Sequence, residues 1–384
     1  MTPHPWHPHL FLRQWIEDQR GRRNQQYEHK ILFLRPNASA RACYRDLRIC
    51  RIRNLKYLKH LHAFVGLFPK DYPSSAFRNH PALFQIEEDI DVQIFIPVKG
   101  KVTPKAQVVP WGIRRIGAEK AWSKTQGKGV RVAVLDTGIA YDHPDLHNNV
   151  KGGVNILNPL LPPYDHNGHG THVAGTIGAV NNQFGVVGVA PRVDLYAVKA
   201  FNKDGTAKLS DIIKAIDWCI GNGIQIINMS FGFNEPSASF REAIARAHQA
   251  GIIMIAASGN KGTRGRLEYP AQFEETIAVS SINEQDQISK FSTIGPNIDL
   301  AAPGEKITST WLNDSFRELS GTSMAVAHVS GVAALMLSRY PNLTPQQLSY
   351  MLRRSATRLK DSSSFAQGFG VVNASVLTER AVGE

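Results

Sequence analysis

The chain has 384 residues, 42% hydrophobic and 20% charged, enough for one large globular domain and a small one. No apolar run reaches the ~18 residues of a membrane-spanning helix, and there is no internal repeat or low-complexity tract. The net charge of +12 is concentrated in residues 1–105, with 18 Lys+Arg against 9 Asp+Glu, while residues 106–384 carry 26 against 23. No nucleic-acid-binding motif accompanies the basic segment. The expectation is a protein without nucleic-acid or membrane partners.

The first residues, Met-Thr-Pro-His-Pro-Trp-His-Pro-His, lack a basic stretch followed by an apolar one, so no secretory signal is expected and the sequence as written reads as intracellular. A small α+β pattern follows: a strand at Lys30–Arg35, a helix near Ser39–Cys50, and strands around Leu61–Leu67 and Ala82–Glu87. About 65 residues is marginal for an independent core. Residues Pro97–Pro110, rich in Pro and Lys, read as a linker. Cys43, Cys50 and Cys219 are odd in number and lack metal-ligand spacing, so no disulfide framework is expected, and Cys219 falls on the apolar pattern of a helix.

Beyond the linker, short β-rich runs alternate with helical stretches. The runs are Val130–Leu135, Asp194–Phe201, Ile224–Met229, Ile252–Ala257 and Thr276–Ile282. Between them the pattern predicts helices over Ser210–Ile220, with Ser210 as N-cap, and Phe240–Gln249, ended by Gly251. Thr344-Pro345-Gln346-Gln347 has the signature of a capping box. Near-continuous apolar strands separated by helices mean a parallel sheet covered on both faces, whose sites lie at the carboxyl ends of the strands.

Three polar segments interrupt this scaffold. Val132-Ala133-Val134-Leu135-Asp136-Thr137-Gly138 ends a strand in a carboxylate and a glycine turn. His166-Asn167-Gly168-His169-Gly170-Thr171-His172 puts imidazoles at the start of a helix. His169 and His172 are not spaced as in His-x-x-x-His metalloprotease helices, and no Glu follows His169, which disfavours zinc. Gly321-Thr322-Ser323-Met324-Ala325 puts a serine at the head of an apolar helix, where the dipole and unpaired N–H groups favour negative charge. A weak hydroxyl nucleophile needs a base, and the base needs a group that orients it. Asp, His and Ser on separate loops of one sheet edge supply those parts.

The order Asp136, His169, Ser323 and the three motifs resemble the subtilisin family of serine proteases, over most of Gln107 to about Ala374. The resemblance implies an α/β, three-layer subtilisin-like fold with a mainly parallel sheet over residues 106–384, and a monomeric enzyme acting on polypeptide substrates. Ser323 would be the nucleophile, His169 the general base and acid, and Asp136 its support. The side chain of Asn260 and the backbone N–H of Ser323 would form the oxyanion hole. Thr206, Ala207 and Leu209 on one side, and Ser230, Phe231 and Gly232 on the other, would line an extended peptide, with Ala257, Ser258 and Gly259 beside it. Glu268, aligned with the floor of the pocket for the residue preceding the cut, would favour Lys or Arg there unless Lys261 neutralised it. Gln107, Asp145 and Asn182, with the carbonyls of Val180, Phe184 and Val186, match the family's tight Ca²⁺ site. At a second, weaker site Asn297 stands beside Asp299 where a carboxylate would be expected.

More faintly, residues 30–96 resemble the family's small α+β, ferredoxin-like prodomain, a folding assistant and intramolecular inhibitor. It would follow a flexible extension over residues 1–29 and precede a linker over 97–105, with processing at Lys105-Ala106. Such an exported zymogen conflicts with the missing signal. The chain departs from the family at Val326-Ala327, where members usually have Ser-Pro. That departure raises peptide ligation through the same acyl-enzyme as one alternative to hydrolysis; the other is a silent binding protein on the same fold, which a broken triad or oxyanion hole would mark and for which every element is present here.

Overall fold

The computed structural model describes residues 26–378, apart from 51, 71–76, 78–79, 96–97, 103–105 and 263–264. Residues 1–25 of the proposed extension and Lys105 lie outside the described residues, while Tyr27, Glu28 and His29, expected in that flexible extension, belong to the first strand. The chain divides into two compact units, one of residues 1–91, 208–218 and 237–246, the other of 92–207, 219–236 and 247–384.

In the first unit, β1 (Tyr27–Leu34), β2 (Arg53–Leu58), β3 (Ala63–Pro69) and β4 (Leu83–Glu88) form an antiparallel sheet in the order β2-β3-β1-β4. Helix α1 (Ala40–Ile49) is capped by Ser39, whose hydroxyl accepts from the N–H of Ala42. Leu32, Leu34, Leu47, Phe64, Phe68 and Leu83 are among the residues of its core. Strand β2 was not expected; five of its six residues are not buried, so it carries no apolar signature.

Carboxylates satisfy the exposed N–H groups that open two longer helices. Glu87 accepts from Ser237 Oγ and from the N–H of Ala238 and Ser239, each at 2.8 Å, at the head of α4 (Ala238–Gln249). Asp89 accepts from the N–H of Ser210 at 2.8 Å in the first turn of α3 (Leu209–Gly221). That helix therefore begins one residue before Ser210, and a distant aspartate does the capping expected of the serine.

The second unit is built on seven strands: β7 (Arg131–Asp136), β8 (Val150–Asn155), β9 (Asp194–Lys199), β11 (Ile226–Met229), β13 (Ile253–Ala257), β14 (Thr276–Ile282) and β15 (Leu300–Pro303). They lie in the order β15-β14-β13-β11-β7-β9-β8, and every pair is parallel. This is the expected parallel α/β sheet. The edge strands β8 and β15 lay outside the strands expected from the sequence; Lys151, Gly152 and Gly153 give β8 no apolar run. Helix α2 (His169–Gly178) is buried along its whole length, as is α5 (Thr322–Arg339) from Thr322 to Leu337. These side chains share one core with the sheet residues Val132, Val134, Ile255 and Val279. Burying such a side chain contributes roughly 1.5–3 kcal/mol each. Helix α6 (Pro345–Ser355) has the full capping box, Thr344 and Gln347 bonded reciprocally.

Residues expected to be linker contain a strand, β6 (Val98–Val102), which pairs antiparallel with β17 (Ser315–Ser320) beside β16 (Ile307–Trp311). Val-Lys-Gly-Lys-Val reads as spacer because half of a strand's pairing information resides in its partner. A further three-stranded sheet sets β5 (Asp91–Ile94) between β10 (Thr206–Lys208) and β12 (Phe231–Gly232).

Candidate active site

Asp136 is the last residue of β7 and His169 the first of α2, so the sheet edge and a helix start deliver the two side chains to one place. The His169 Nδ1 lies 2.8 Å and 2.9 Å from the two Asp136 carboxylate oxygens. Both residues are buried. An ionised carboxylate only accepts, so Nδ1 carries the hydrogen and a neutral ring leaves Nε2 bare, the tautomer a general base needs. Nε2 is buried and has no hydrogen-bond partner among the described residues.

Asp136 is held in turn by the N–H of Thr137 at 2.7 Å. Behind it, the buried ammonium of Lys199 donates to the carbonyl of Thr137. Burial pulls the Lys199 pKa down, while the charges of Asp165 and Asp136 work the other way. Asp165 organises the approach to the helix, accepting from Asn167, Gly168 and Thr171 N–H groups and from the Thr171 hydroxyl at 2.7–3.0 Å. Sequence reasoning missed both residues. The one charge in the apolar run Leu-Tyr-Ala-Val-Lys-Ala-Phe and an Asp two residues before Asn-Gly were their available signals.

Gly168 has φ +103°, and a Cβ there would come within 2.3 Å of the Trp311 ring. Gly168→Ala therefore meets left-handed strain and a clash at the residue preceding His169. We expect it to lower Tm by at least about 2 °C and to lower kcat, measured by thermal denaturation and peptide hydrolysis.

Ser323 occupies the first turn of α5, where backbone N–H groups lack intrahelical acceptors. Its hydroxyl donates to the carbonyl of Ser230 at 3.3 Å, and the Ser230 hydroxyl donates back to the carbonyl of Ser323 at 3.3 Å. Asn228 ties this exchange to the helix: its Nδ2 donates to Ser230 Oγ and its Oδ1 accepts from Ser330. Asn260 is oriented by Thr322, whose N–H and hydroxyl both donate to Asn260 Oδ1 at 3.0 and 2.9 Å. The Asn260 Nδ2 is thereby left as the end that can donate elsewhere. Val326 and Ala327 are buried in an unbroken helix, and Ala327 supplies an N–H that proline would lack.

His172 is separate from this chemistry. Its Nε2 lies 3.0 and 3.1 Å from the carbonyls of Ile307 and Arg317, and burial pushes its pKa down to about 3. It is a neutral, structural histidine.

Ser230, bonded to Ser323, leads into the strand of Phe231 and Gly232, and Thr206 and Ala207 lie on another strand, with β5 between the two. Gln93 and Ile94 pair with Gly232 and Phe231. The N–H of Ile94 donates to Gly205 O at 3.0 Å and that of Phe95 to Ser230 O at 3.4 Å. The chain's own residues 92–94 thus run as a strand between these two edges. No local signal in the sequence announces this. Leu209, expected in the same lining, belongs to the first unit, where its N–H donates to Ile90 O.

Ala257 closes β13, and Ser258 and Gly259 follow, all buried. Glu268 is buried too, and its carboxylate is ion-paired with the Lys261 ammonium at 2.8 Å. It is therefore not a free carboxylate.

Four oxygens, the carbonyls of Val180, Phe184 and Val186 and the side chain of Asn182, lie within 3.0–3.5 Å of Gln107 Nε2. The Asp145 carboxylate is bonded to Asn182 and to the N–H of Val186. A Cβ at Gly185 would come within 2.2 Å of Asp145. Elsewhere, Asp299 pairs with Arg353 at 2.7 Å and Asn297 donates to the carbonyl of Gln272.

Residues 127–370 match the Peptidase_S8 model, described as the subtilase family. The chain is 45% identical over 275 residues to the thermostable alkaline protease of Halalkalibacterium halodurans, covering 71% of this chain and 74% of that one. It is 42% identical over 272 residues to subtilisin DY of Bacillus licheniformis, covering 70% and 98%. It is also 42% identical over 274 residues to subtilisin Savinase of Lederbergia lenta, covering 71% and 100%. With the matched model covering well over half of its length, this chain belongs to the subtilase family.

Proposed function

We propose that this subtilisin-like serine endopeptidase hydrolyses peptide bonds through Ser323, His169 and Asp136, and is made as a self-inhibited, self-processing zymogen. The observation that carries the reading is the buried His169 Nδ1–Asp136 pair with its bare Nε2, at a sheet edge that also holds the helix headed by Ser323. In the reaction the Ser323 hydroxyl oxygen bonds to the scissile carbonyl carbon while its proton passes to His169 Nε2. The carbonyl oxygen becomes an oxyanion, held by Asn260 Nδ2 and the Ser323 N–H. The C–N bond then breaks, and the leaving amine takes the proton from His169. Water, deprotonated by the same nitrogen, releases the acyl group and restores the serine.

The strand contributed by residues 91–94 supports the zymogen reading, since a chain that fills its own groove excludes other peptides. The first cut then falls after Phe95, with trimming in the 97–105 linker, at Lys105-Ala106, as a later step. Intact mass during incubation of the purified chain tests both: new species should end at Phe95 or begin at Ala106, and Ser323→Ala should stay uncut. A protein that stays whole and leaves casein intact overturns the reading.

Ca²⁺ is the proposed structural ion. The neutral oxygens gathered around Gln107, with Asp145 beside them, form the hard-donor set this ion prefers. When bound, the ion would tie residue 107 to the segment 180–186 and stabilise only the folded state. At 100-fold excess over Kd that is worth about 2.7 kcal/mol. EDTA should lower Tm by several degrees and added Ca²⁺ should restore it, while Asp145→Asn should blunt the response. No change with EDTA rules the ion out.

A further inference from the structure

One buried cation takes no part in the proton transfers of the proposed reaction. Lys199, the last residue of β9, is only 6% exposed, and its ammonium donates to the carbonyl of Thr137. Thr137 in turn touches both halves of the pair. Its N–H donates to the Asp136 carboxylate at 2.7 Å, and its hydroxyl accepts from the N–H of Gly170, next to His169, at 3.0 Å. The N–H groups of Ala200 and Phe201, which follow Lys199, donate to the Asp136 carbonyl at 3.0 and 3.2 Å. A Cβ on Gly170 would come within 2.2 Å of the Gly138 carbonyl oxygen and 3.1 Å of Asp136 Cβ, so the turn after β7 and the head of α2 are in direct contact. A shift of the Thr137 carbonyl therefore moves Asp136 and His169 together.

Burying an ammonium is costly unless opposite charges lie close. Asp165 and, more weakly, Asp136 supply them, against the downward pull of burial on the Lys199 pKa. Both carboxylates are buried, and two anions sharing a buried site tend to retain a proton unless a cation offsets them. Asp165 also accepts from the N–H groups of Gly168 and Thr171, on either side of His169. We infer that Lys199 is a positioning residue for the reaction: its ammonium pins the Thr137 carbonyl and keeps Asp136 and Asp165 ionised together, so that His169 meets a charged partner in a fixed place. This inference rests on the endopeptidase reading above.

The titratable groups around His169 are Asp136 at the end of β7, Asp165 in the approach to α2, Lys199 on β9 and His172 further along α2. Burial pushes the His172 pKa down to about 3, and burial and the neighbouring Asp142 push Tyr164, which also senses Asp165, up to about 12. Both stay neutral near neutral pH. That leaves Asp165 and Lys199 as opposed charges beside the Asp136–His169 pair. Removing the cation favours the protonated forms of its neighbours, so the acid limb of the activity profile moves to higher pH. Removing the Asp165 charge moves the limb to lower pH. A change of packing carries no such sign.

The test uses the full chain after its own processing, with rates counted per titrated active site. The substrates are a chromogenic amide of Val-Gln-Ile-Phe, the sequence of residues 92–95, and casein. Lys199→Met nearly keeps the volume and removes the charge. It should lower kcat about 10- to 100-fold with KM within about 3-fold of the wild type. It should also move the acid limb of kcat/KM up by at least about half a pH unit. Asp165→Asn should move the limb down, and the double variant should bring it back toward the wild type. In Lys199→Met, an acid limb that stays in place, or a kcat within about 3-fold of the wild type, overturns the inference. So does a limb that moves the same way in Lys199→Met and Asp165→Asn. If Lys199→Met does not fold, Asp165→Asn decides alone, and a limb that fails to fall overturns the inference. The endopeptidase reading survives each of these results, whereas a wild type that cuts neither substrate overturns both.

Discussion

Replacing Ser323 with alanine should remove about 10⁶-fold of kcat, a loss that subtilisins themselves show for the serine or the histidine alone. The hydroxyl oxygen is the only atom removed, and its one hydrogen bond among the described residues is to the Ser230 carbonyl at 3.3 Å. The fold should be nearly untouched, since a bond of that kind contributes about 1 kcal/mol at most. His169→Ala should cost a similar factor, and the double variant little more, because serine and base act as a unit. Single-turnover hydrolysis of a peptide amide, alongside thermal denaturation, measures both effects. Residual kcat within 100-fold of the wild type would remove Ser323 from the proposed role. So would a full second penalty in the double variant.

The next largest effect is expected at Asn260. Its Oδ1 is engaged twice by Thr322, which fixes the amide and leaves Nδ2 as the donor proposed for the oxyanion. Asn260→Leu removes a donor whose bond strengthens only as negative charge develops. It should lower kcat by about 10²–10³ with KM nearly constant, the size known for this donor in subtilisin. Thr322→Val keeps the backbone donor and loses the hydroxyl, so it should show a smaller drop in kcat. A rise in KM with kcat unaltered would mean instead that Asn260 binds the ground-state substrate.

The legibility of the sequence differs from element to element for physical reasons. Thr276–Ile282 was expected as a strand over those same residues, because all seven are buried and a fully buried strand reads as a continuous apolar run. Val150–Asn155, Arg53–Leu58 and Val98–Val102 were not expected. The pairing of all three depends on neighbours, and the first two have only one buried residue each. The helix head at Leu209 was misread by one residue because its cap, Asp89, lies 121 positions away, and local cap rules see only adjacent residues.

The site divides along the same line. Asp136, His169, Ser323 and Asn260 are legible because each sits in a short, chemically constrained motif, with small residues that admit close backbone approach. Glycine is required before His169, where φ is +103° and Trp311 leaves no room for a Cβ. Asp165 and Lys199 pass as ordinary polar residues until the fold brings them beside the pair.

The sequence by itself therefore determined the family, the parallel α/β scaffold and which side chains are available for chemistry. Only the tertiary structure decided how those side chains are spent. It ties Lys261 to Glu268, pairs Gln93 and Ile94 with Gly232 and Phe231, and brings the Phe95 N–H and the Ser323 hydroxyl to the same Ser230 carbonyl. The physical reason is that charge neutralisation and strand pairing are properties of partners, and these partners meet only when distant stretches of the chain have folded together.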